Sequence, residues 1–511
     1  MPGMNRTRTL LLAAVVGTLV VPGSVAHSAS QARDPFTHWR HQHVADGVEL
    51  YHRVITGRPG ADHWTVTVLV DGAHLGTDAD ARATADRLTA AGLAARVEQV
   101  RWPDGADVSG ALGSRVRVGE FGGQNQADRQ RDAIKAAGFD AVSEWTGGDG
   151  VPGTGTAQVK VAVIDPHRYR GELRGSYGTA VAGRELTTDM AAGALLGVNA
   201  GFFVMEAVDG VPGASAGIAA YDGRPQSAAT NGRVAITLRG NGLRPEFGRM
   251  STRSTVHSGQ TVELVDGINR VPGKIRNCGG VGGDQPTERP LHDVTCTDPD
   301  EIVAFTPELG VPTPAGPGVE AVLDSAGLVL ELRPRGGPVP AGGGVLAGIG
   351  SGETWLRAHG KPGATLAVRH VITDEQGREV RLGPGDDIVN GGPRLVRDGR
   401  VEIDFRADGI DRPGEPSFPY AWAIKRNPRM VLGVDRRGRI LLLTSAGRQP
   451  GYSDGLGVAE SAELIRSLGA VDAVNLDGGG STTMVLNGTM ITMPSDATGQ
   501  RAVGDALLLT R

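Results

Sequence analysis

Two kinds of hydrophobic spacing take turns along the first third of the chain. Residues 64–70, W-T-V-T-V-L-V, alternate as a strand does. Residues 78–91 place Ala81, Ala85 and Leu88 on one side of a helix, and Gly92 ends it. Strand spacing returns over 93–100. The same order then repeats, with a strand over 114–121, a helix over 125–137 and a strand over 139–145. Ala127, Ile134 and Ala137 face inward on that second helix, and Gly138 closes it. Two β-α-β units of this size predict a ferredoxin-like sheet with its helices on one face.

Beyond residue 158 the pattern changes to short apolar runs divided by turn residues. Strands are expected at 159–164, 234–238, 261–264, 302–306, 319–324, 329–332, 365–372, 440–444 and 471–476. A helix is expected over 456–468, where Val458, Ala462 and Ile465 recur at helical spacing before Gly469. The fold class is therefore α+β, with an N-terminal ferredoxin-like module followed by a larger strand-rich mixed α/β domain. Between them, G-G-D-G-V-P-G-T-G-T at 147–156 reads as a linker by composition. The expected boundaries are 1–29 (signal peptide), 30–62 (extension or linker), 63–146 (first module), 147–157 (linker) and 158–511 (main domain).

Composition adds little to this organisation and narrows the function. The 511 residues suffice for about three domains. Glycine, at 78 residues, is about twice its average usage, and aromatics are only 4%, which points to many tight turns. A net charge of −5 gives no general attraction to nucleic acid or to an anionic membrane. At the N-terminus, Arg6 and Arg8 precede an apolar run over 10–21 and the small residues Ser24, Ala26, Ser28 and Ala29. That is the layout of a secretory signal, and the run is short for a membrane span. The mature chain is expected to be soluble and secreted or wall-associated. Histidines 38, 41, 43 and 52 match no dense metal-ligand spacing and read as part of a linker or strand pair. The only cysteines are Cys278 and Cys296, and in an exported chain they predict one disulfide around a Gly/Pro-rich loop.

The chemistry concentrates in A-V-D-A-V-N-L-D-G-G-G-S-T-T-M-V-L at 470–486. A strand runs into Asp477, three glycines (Gly478, Gly479, Gly480), Ser481 and Thr482. Glycines let backbone N–H groups approach a ligand, and such a bend can form a nest for an anion. Asn475 and Asp477 share a strand face by the two-residue period. No histidine follows His370, so Ser481 has no histidine base within these motifs and reads as a binding hydroxyl. The nearby titratable groups are Asp477, Asp454, Glu460 and Asp496.

These runs carry a resemblance. R-N-P-R-M-V-L-G-V-D at 426–435, G-Y-S-D-G at 451–455, V-N-L-D-G-G-G-S-T-T-M-V and the late P-S-D and G-Q-R-A-V resemble the phosphodiester glycosidase family. V-N-A-G-F-F at 198–203 and N-G-G-P at 390–393 add to it, over roughly 158–511 in all. Ala200 stands where we associate a glycine with the first of these, and Gln500 where the family usually has Glu. The resemblance implies cleavage of the bond between an anomeric carbon and a phosphate oxygen. Such a site needs carboxylates near the sugar, and arginines or N–H donors near the phosphate. The expected catalytic residues are Asp477 and Glu460, with Asn199 and Asn475 orienting the sugar or water. Arg429, Arg448 and Arg501 are expected at the phosphate, and Asn390, Gly391 and Gly392 at the pocket wall. No cofactor or metal is expected. The second half of the first module resembles SPOR domains, a family that binds glycan strands of peptidoglycan. Together they imply an exported hydrolase acting on a sugar-1-phosphodiester, with N-acetylglucosamine as the sugar, in a wall or extracellular glycopolymer. The other reading is a non-catalytic surface protein that binds glycans.

Overall fold

The run I-L-L-L-T-S at Ile440–Ser445 is buried at every position. In the computed structural model, described over residues 34–229, 233–276, 285–286, 295–412 and 414–511, it lies inside an eight-stranded sheet. The strands run in the order Arg40–Ala45, Val48–Thr56, Thr156–Ile164, Ile440–Ser445, Arg429–Asp435, Ala470–Asn475, Arg394–Arg397, Arg400–Val401. Neighbours are antiparallel throughout.

Both faces of this sheet are covered, so its strands read as continuous apolar runs rather than alternating ones. Leu442, Met430, Leu432 and Ala162 enter one core together with Val198, Met484 and Leu507. Those three come from a five-stranded sheet in which Leu196–Asn199 lies between Met484–Leu486 and Ala506–Thr510. Leu441, Leu443 and Val431 enter the other core, against Val458, Ala462 and Ile465 of the helix Val458–Ser467. Each such apolar side chain stabilises by about 1.5–3 kcal/mol on burial. A seven-stranded sheet contains Asp387–Asn390, and a further five-stranded one carries Val319–Leu323. The body is mixed and strand-rich, as its periodicity predicts. No helix among the described residues is long and apolar enough to cross a membrane.

The N-terminal module has strands Trp64–Val68, Ala95–Arg101, Ala111–Phe121 and Ala141–Trp145 and helices Asp78–Ala90 and Gln124–Ala136. The strands lie in the order 95–101, 111–121, 64–68, 141–145, with antiparallel neighbours. Leu88, Ala127 and Ile134 from the helices pack on Val66, Val68, Val116 and Val118. Thr67, Arg115, Arg117 and Glu144 of the same strands are also buried. Arg117 reaches both oxygens of Asp149, at 2.5 and 2.8 Å. Arg115 donates to the Tyr420 hydroxyl, and Lys425 to Glu144 at 2.6 Å. A buried ion network thus joins module to body.

Two segments between the expected domains are built into the fold. Residues 40–56, whose histidines read as part of a linker or strand pair, form two strands of the large sheet. V-E-L-Y-H-R-V-I-T pairs residue by residue with Thr156–Ile164, and Val48 and Leu50 enter its core. The histidine pair His41 and His43 holds Glu49 at 2.7 and 2.9 Å, within that strand pair. The glycine-rich segment 147–157 is a packed junction. Thr146–Asp149 forms a 3-10 turn with Thr146, Gly147 and Asp149 buried, and Arg426 donates to the carbonyls of Gly147 (2.6 Å) and Val151 (2.9 Å). A Cβ on Gly147 would stand 2.3 Å from Trp145 Nε1, and one on Gly150 2.2 Å from the Ile424 carbonyl. These glycines serve close approach rather than flexibility. The expected signal segment and Cys278 lie outside the described residues, and so does the expected disulfide; Cys296 is fully buried. We predict that mass spectrometry of the unreduced purified chain finds Cys278 and Cys296 in one linked peptide. Two free thiols would refute it.

Candidate active site

The Asp477 turn sits where three loops meet. The strand Ala470–Asn475 delivers it from the large sheet, and Met484–Leu486 carries the chain away into the five-stranded sheet. Asp477 N–H donates to the Ala200 carbonyl (2.9 Å), and Leu476 N–H to the Met430 carbonyl (2.8 Å). The Asp477 carbonyl accepts from Asn199 Nδ2 at 2.7 Å, and Asn199 Oδ1 accepts from Thr483 N–H at 2.9 Å. Asn199 is therefore a fully buried clamp across the turn. Asn390 does the same for the 200–203 loop, accepting from Phe202 N–H (3.0 Å) and donating to the Phe202 carbonyl (3.2 Å). Asn475 Nδ2 donates to the Gly392 carbonyl at 2.9 Å. Asn199 and Asn475, expected to orient the sugar or water, and Asn390, expected at the pocket wall, staple the loops together, while Asn475 Oδ1 is buried without a partner among the described residues. The reason is position: each ends a strand, where unpaired backbone groups must be satisfied from the side.

The glycines of these turns also bond within the fold. Gly478 N–H donates to its neighbour's carboxylate, Asp477 Oδ1, at 2.9 Å. Gly479 N–H donates to the Pro428 carbonyl at 2.9 Å, Gly391 N–H to Val234 and Gly392 N–H to Asn475. Gly478 and Gly479 thus spend their N–H groups within the protein. What the missing side chains make room for is arginine. A Cβ on Gly479 would lie 3.2 Å from Arg448 Nη2, and one on Gly480 2.3 Å from Arg501 Nη2. Gly392 likewise lies against the Asp408 carboxylate, 2.4 Å from an added Cβ.

Arg448 and Arg501 are thus brought to the Asp477 turn. Arg448 holds Asn427 Oδ1 through Nε at 2.8 Å, and Arg501 holds Asp496 at 2.7–2.8 Å. Burial pushes the Arg448 guanidinium down, and neighbouring Arg501 adds to it, while Asp496 and Asp477 oppose. Two adjacent cations at a partly desolvated turn favour an anion there. Ser481 Oγ and Thr482 Oγ1 are buried beside them without a partner among the described residues. Arg429 does not join this pair. It is buried, donates to the carbonyls of Leu456 and Trp422, and burial pushes it down to about 9. Glu460 is committed elsewhere too: it accepts from Arg426 at 2.6 and 2.8 Å and from Gly457 N–H at 2.9 Å, as the N-terminal cap of its helix. Asp454 accepts from Thr156 N–H at 2.7 Å, at the module junction. Gln500 lies 3.1 Å from Thr188 Oγ1, over the short helix Thr187–Met190.

Sequence reasoning missed three contributors. Phe202 stands on the 200–203 loop and Trp422 in the helical turn Tyr420–Ile424, their rings 6.2 Å apart. Asp505 is buried, accepts from Gly201 N–H and from the Tyr221 hydroxyl at 2.7 Å each, and so fixes the 200–203 loop. No motif announces it; the only signal is a lone acid directly ahead of the apolar C-terminal strand Ala506–Thr510. Burial raises the Asp505 carboxyl to about 6, against hydrogen bonds that lower it. The folded chain therefore takes up this proton before the unfolded chain does. Its contribution is full below the unfolded value near 4 and is lost as pH rises through about 6. We predict that the melting temperature of the parent minus that of Asp505→Asn falls between pH 4.5 and 7.5. The change corresponds to roughly 2–3 kcal/mol. A pH-independent difference would contradict it. A second expectation follows from the clamp. Asn199→Ala leaves the Asp477 carbonyl and Thr483 N–H buried and unsatisfied, at about 1–3 kcal/mol each. Its melting temperature should fall by several degrees; an unchanged value would mean the turn holds without Asn199.

Comparison with known proteins places this geometry. Residues 318–510 match the phosphodiester glycosidase family. N-acetylglucosamine-1-phosphodiester alpha-N-acetylglucosaminidase of Mus musculus is 34% identical over 116 residues, 22% of this chain and 22% of that enzyme. The Homo sapiens enzyme is 33% identical over 114 residues, with the same shares. The chain thus aligns with about a fifth of these relatives. A Burkholderia pseudomallei protein of known crystal structure, provisionally described as exported, is 32% identical with a TM-score of 0.81, covering 93% of this chain and 96% of that one. A hypothetical protein from Synechocystis shares the fold, at 19% identity and a TM-score of 0.54, over 93% of this chain and 81% of that one.

Proposed function

The chain belongs to the phosphodiester glycosidase family, and from that premise we propose that it hydrolyses a sugar-1-phosphodiester at the Asp477 turn. The observation that carries the reading is the pairing of Arg448 and Arg501 over Gly479 and Gly480, next to the Asp477 carboxylate. The arginines hold the phosphate and stabilise the charge it gains on leaving. Asp477 acts at the anomeric carbon, as base for a water or as counter-charge to an oxocarbenium-like centre. Phe202 and Trp422 offer rings for the sugar face. N-acetylglucosamine is the proposed sugar, because the aligned mammalian enzymes carry it in their names. Turnover of a synthetic N-acetylglucosaminyl-1-phosphodiester by the purified chain is the test. No turnover, with a folded protein, would sink the reading.

The proposed setting is outside the cell, on a wall or extracellular glycopolymer. The N-terminal pattern of Arg6, Arg8 and the apolar run supports export. The strand order of the first module and its two helices support a ferredoxin-like unit of the SPOR kind. Part of its sheet is committed to the body through Arg117 and Glu144, so glycan contacts fall to its remaining surface. The full chain should sediment with purified peptidoglycan sacculi; recovery in the supernatant would remove the wall from the proposal.

A further inference from the structure

Away from the Asp477 turn, a polar cavity of about 700 Å³ opens between the large sheet and the strand pair Glu246–Ser258 and Ala367–Asp374. That is ample for a sugar unit. Arg394, Asp472, Glu375, Arg397 and Phe247 line it. Arg394 is 5% exposed, and among the described residues its Nε is buried without a partner. Its nearest carboxylate oxygens, on Asp472 and Glu375, stand at 3.6 and 3.9 Å, too far to accept its hydrogens. Neighbouring Arg249 donates to Asp404; Arg397 lies 3.0 Å from Glu402, and its Nε too is buried without a hydrogen-bond partner among the described residues. Arg394 thus keeps two long ion pairs but no hydrogen bond through Nε, and a buried N–H left without an acceptor is costly. Burial pushes Arg394 down, with Arg397 adding to it, while Asp404, Glu375 and Asp472 oppose.

We infer that this cavity is a second glycan subsite, for an anionic sugar unit. The oxyanion accepts from the Arg394 fork. Ring hydroxyls donate to Asp472 and Glu375, whose carboxylates stand on either side of it. Phe247 supplies an apolar wall. Asp472 and Asp477 belong to one strand and its continuation, five residues apart, so the two sites lie within roughly 17 Å along the chain. The reading makes the substrate a polyanionic glycan held at two points. It rests on the function proposed above for the reaction, but not for the anion.

The probe is glucose 6-phosphate, titrated calorimetrically against the full chain, with glucose and inorganic phosphate as separate arms. The parent should bind glucose 6-phosphate more tightly than either. Arg394→Gln should weaken it about tenfold or more, the scale of a lost charge-assisted hydrogen bond. Arg448→Met should leave most of that binding in place, which separates this cavity from the Asp477 turn. Arg394→Lys, which keeps the charge and loses the fork, guards against a folding defect and should bind with intermediate affinity. Turnover of the monomeric phosphodiester should be unchanged in Arg394→Gln. Equal binding by parent and Arg394→Gln, or binding abolished by Arg448→Met alone, would overturn the subsite. Equal binding of inorganic phosphate would reduce it to a simple anion site. A chain without turnover that still shows Arg394-dependent binding would refute the proposed reaction and leave the subsite standing.

Discussion

Asp477→Asn should lower kcat by roughly 10²-fold or more while leaving the melting temperature within about a degree of the parent. The backbone of Asp477 is fixed on both sides, its N–H by the Ala200 carbonyl and its carbonyl by Asn199. These backbone bonds do not depend on the charge of the side chain. Asparagine keeps an oxygen for Gly478 N–H, which Asp477 Oδ1 now holds at 2.9 Å. What it loses is the negative charge, and that charge faces Arg448 across the turn. If the carboxylate serves as base or counter-charge, only chemistry suffers. If it serves mainly to balance Arg448, the variant should melt lower and turn over normally. A folded Asp477→Asn chain with normal kcat would remove Asp477 from the mechanism. The search would then move to Asp496, because Glu460 and Asp454 are held in a helix cap and a junction.

The elements were legible because their signal is local. The helix expected over 456–468 is found at Val458–Ser467, and the strand expected over 159–164 lies within Thr156–Ile164. The partners of the candidate site residues were not legible, because they come from loops distant in the chain. A strand-end asparagine reads the same whether it meets a sugar or a neighbouring loop, and Asn199, Asn390 and Asn475 all meet loops. Glycine is ambiguous in a related way, because a missing Cβ gives either freedom or close approach. At 147–156 composition suggested freedom, and the carbonyls and side chains packed on Gly147 and Gly150 decide for approach. Residues such as Asp505 and Arg394 carry no motif, and only the tertiary neighbourhood gives them meaning.

Arg117→Ala should destabilise the chain by about 3–5 kcal/mol, the usual result of removing one partner from a buried ion network. Arg117 is 1% exposed. Burial opposes its charge, but the hydrogen bonds and charge of Asp149 outweigh that and hold its pKa well above the ordinary value. Its guanidinium spans Asp149 at 2.5 and 2.8 Å and lies 3.4–3.5 Å from Glu98 and Glu144. Asp149 sits in the junction turn, and Glu144 is tied to the body by Lys425. Deleting the arginine strands a buried Asp149 with Arg115 alone, at 3.0 Å. If module and body melt as one unit, unfolding entropy of about 2.1 cal/mol/K per residue makes this loss a drop of roughly 4 °C. If the junction is the weaker link, calorimetry should instead show a separate, earlier transition for the module. Asp149→Ala should cost a similar amount, and the double variant much less than the sum, because each single change leaves the other charge unpaired. Additive losses, or an Arg117→Ala chain as stable as the parent, would mean that apolar packing at the seam, and not this network, joins the module to the body.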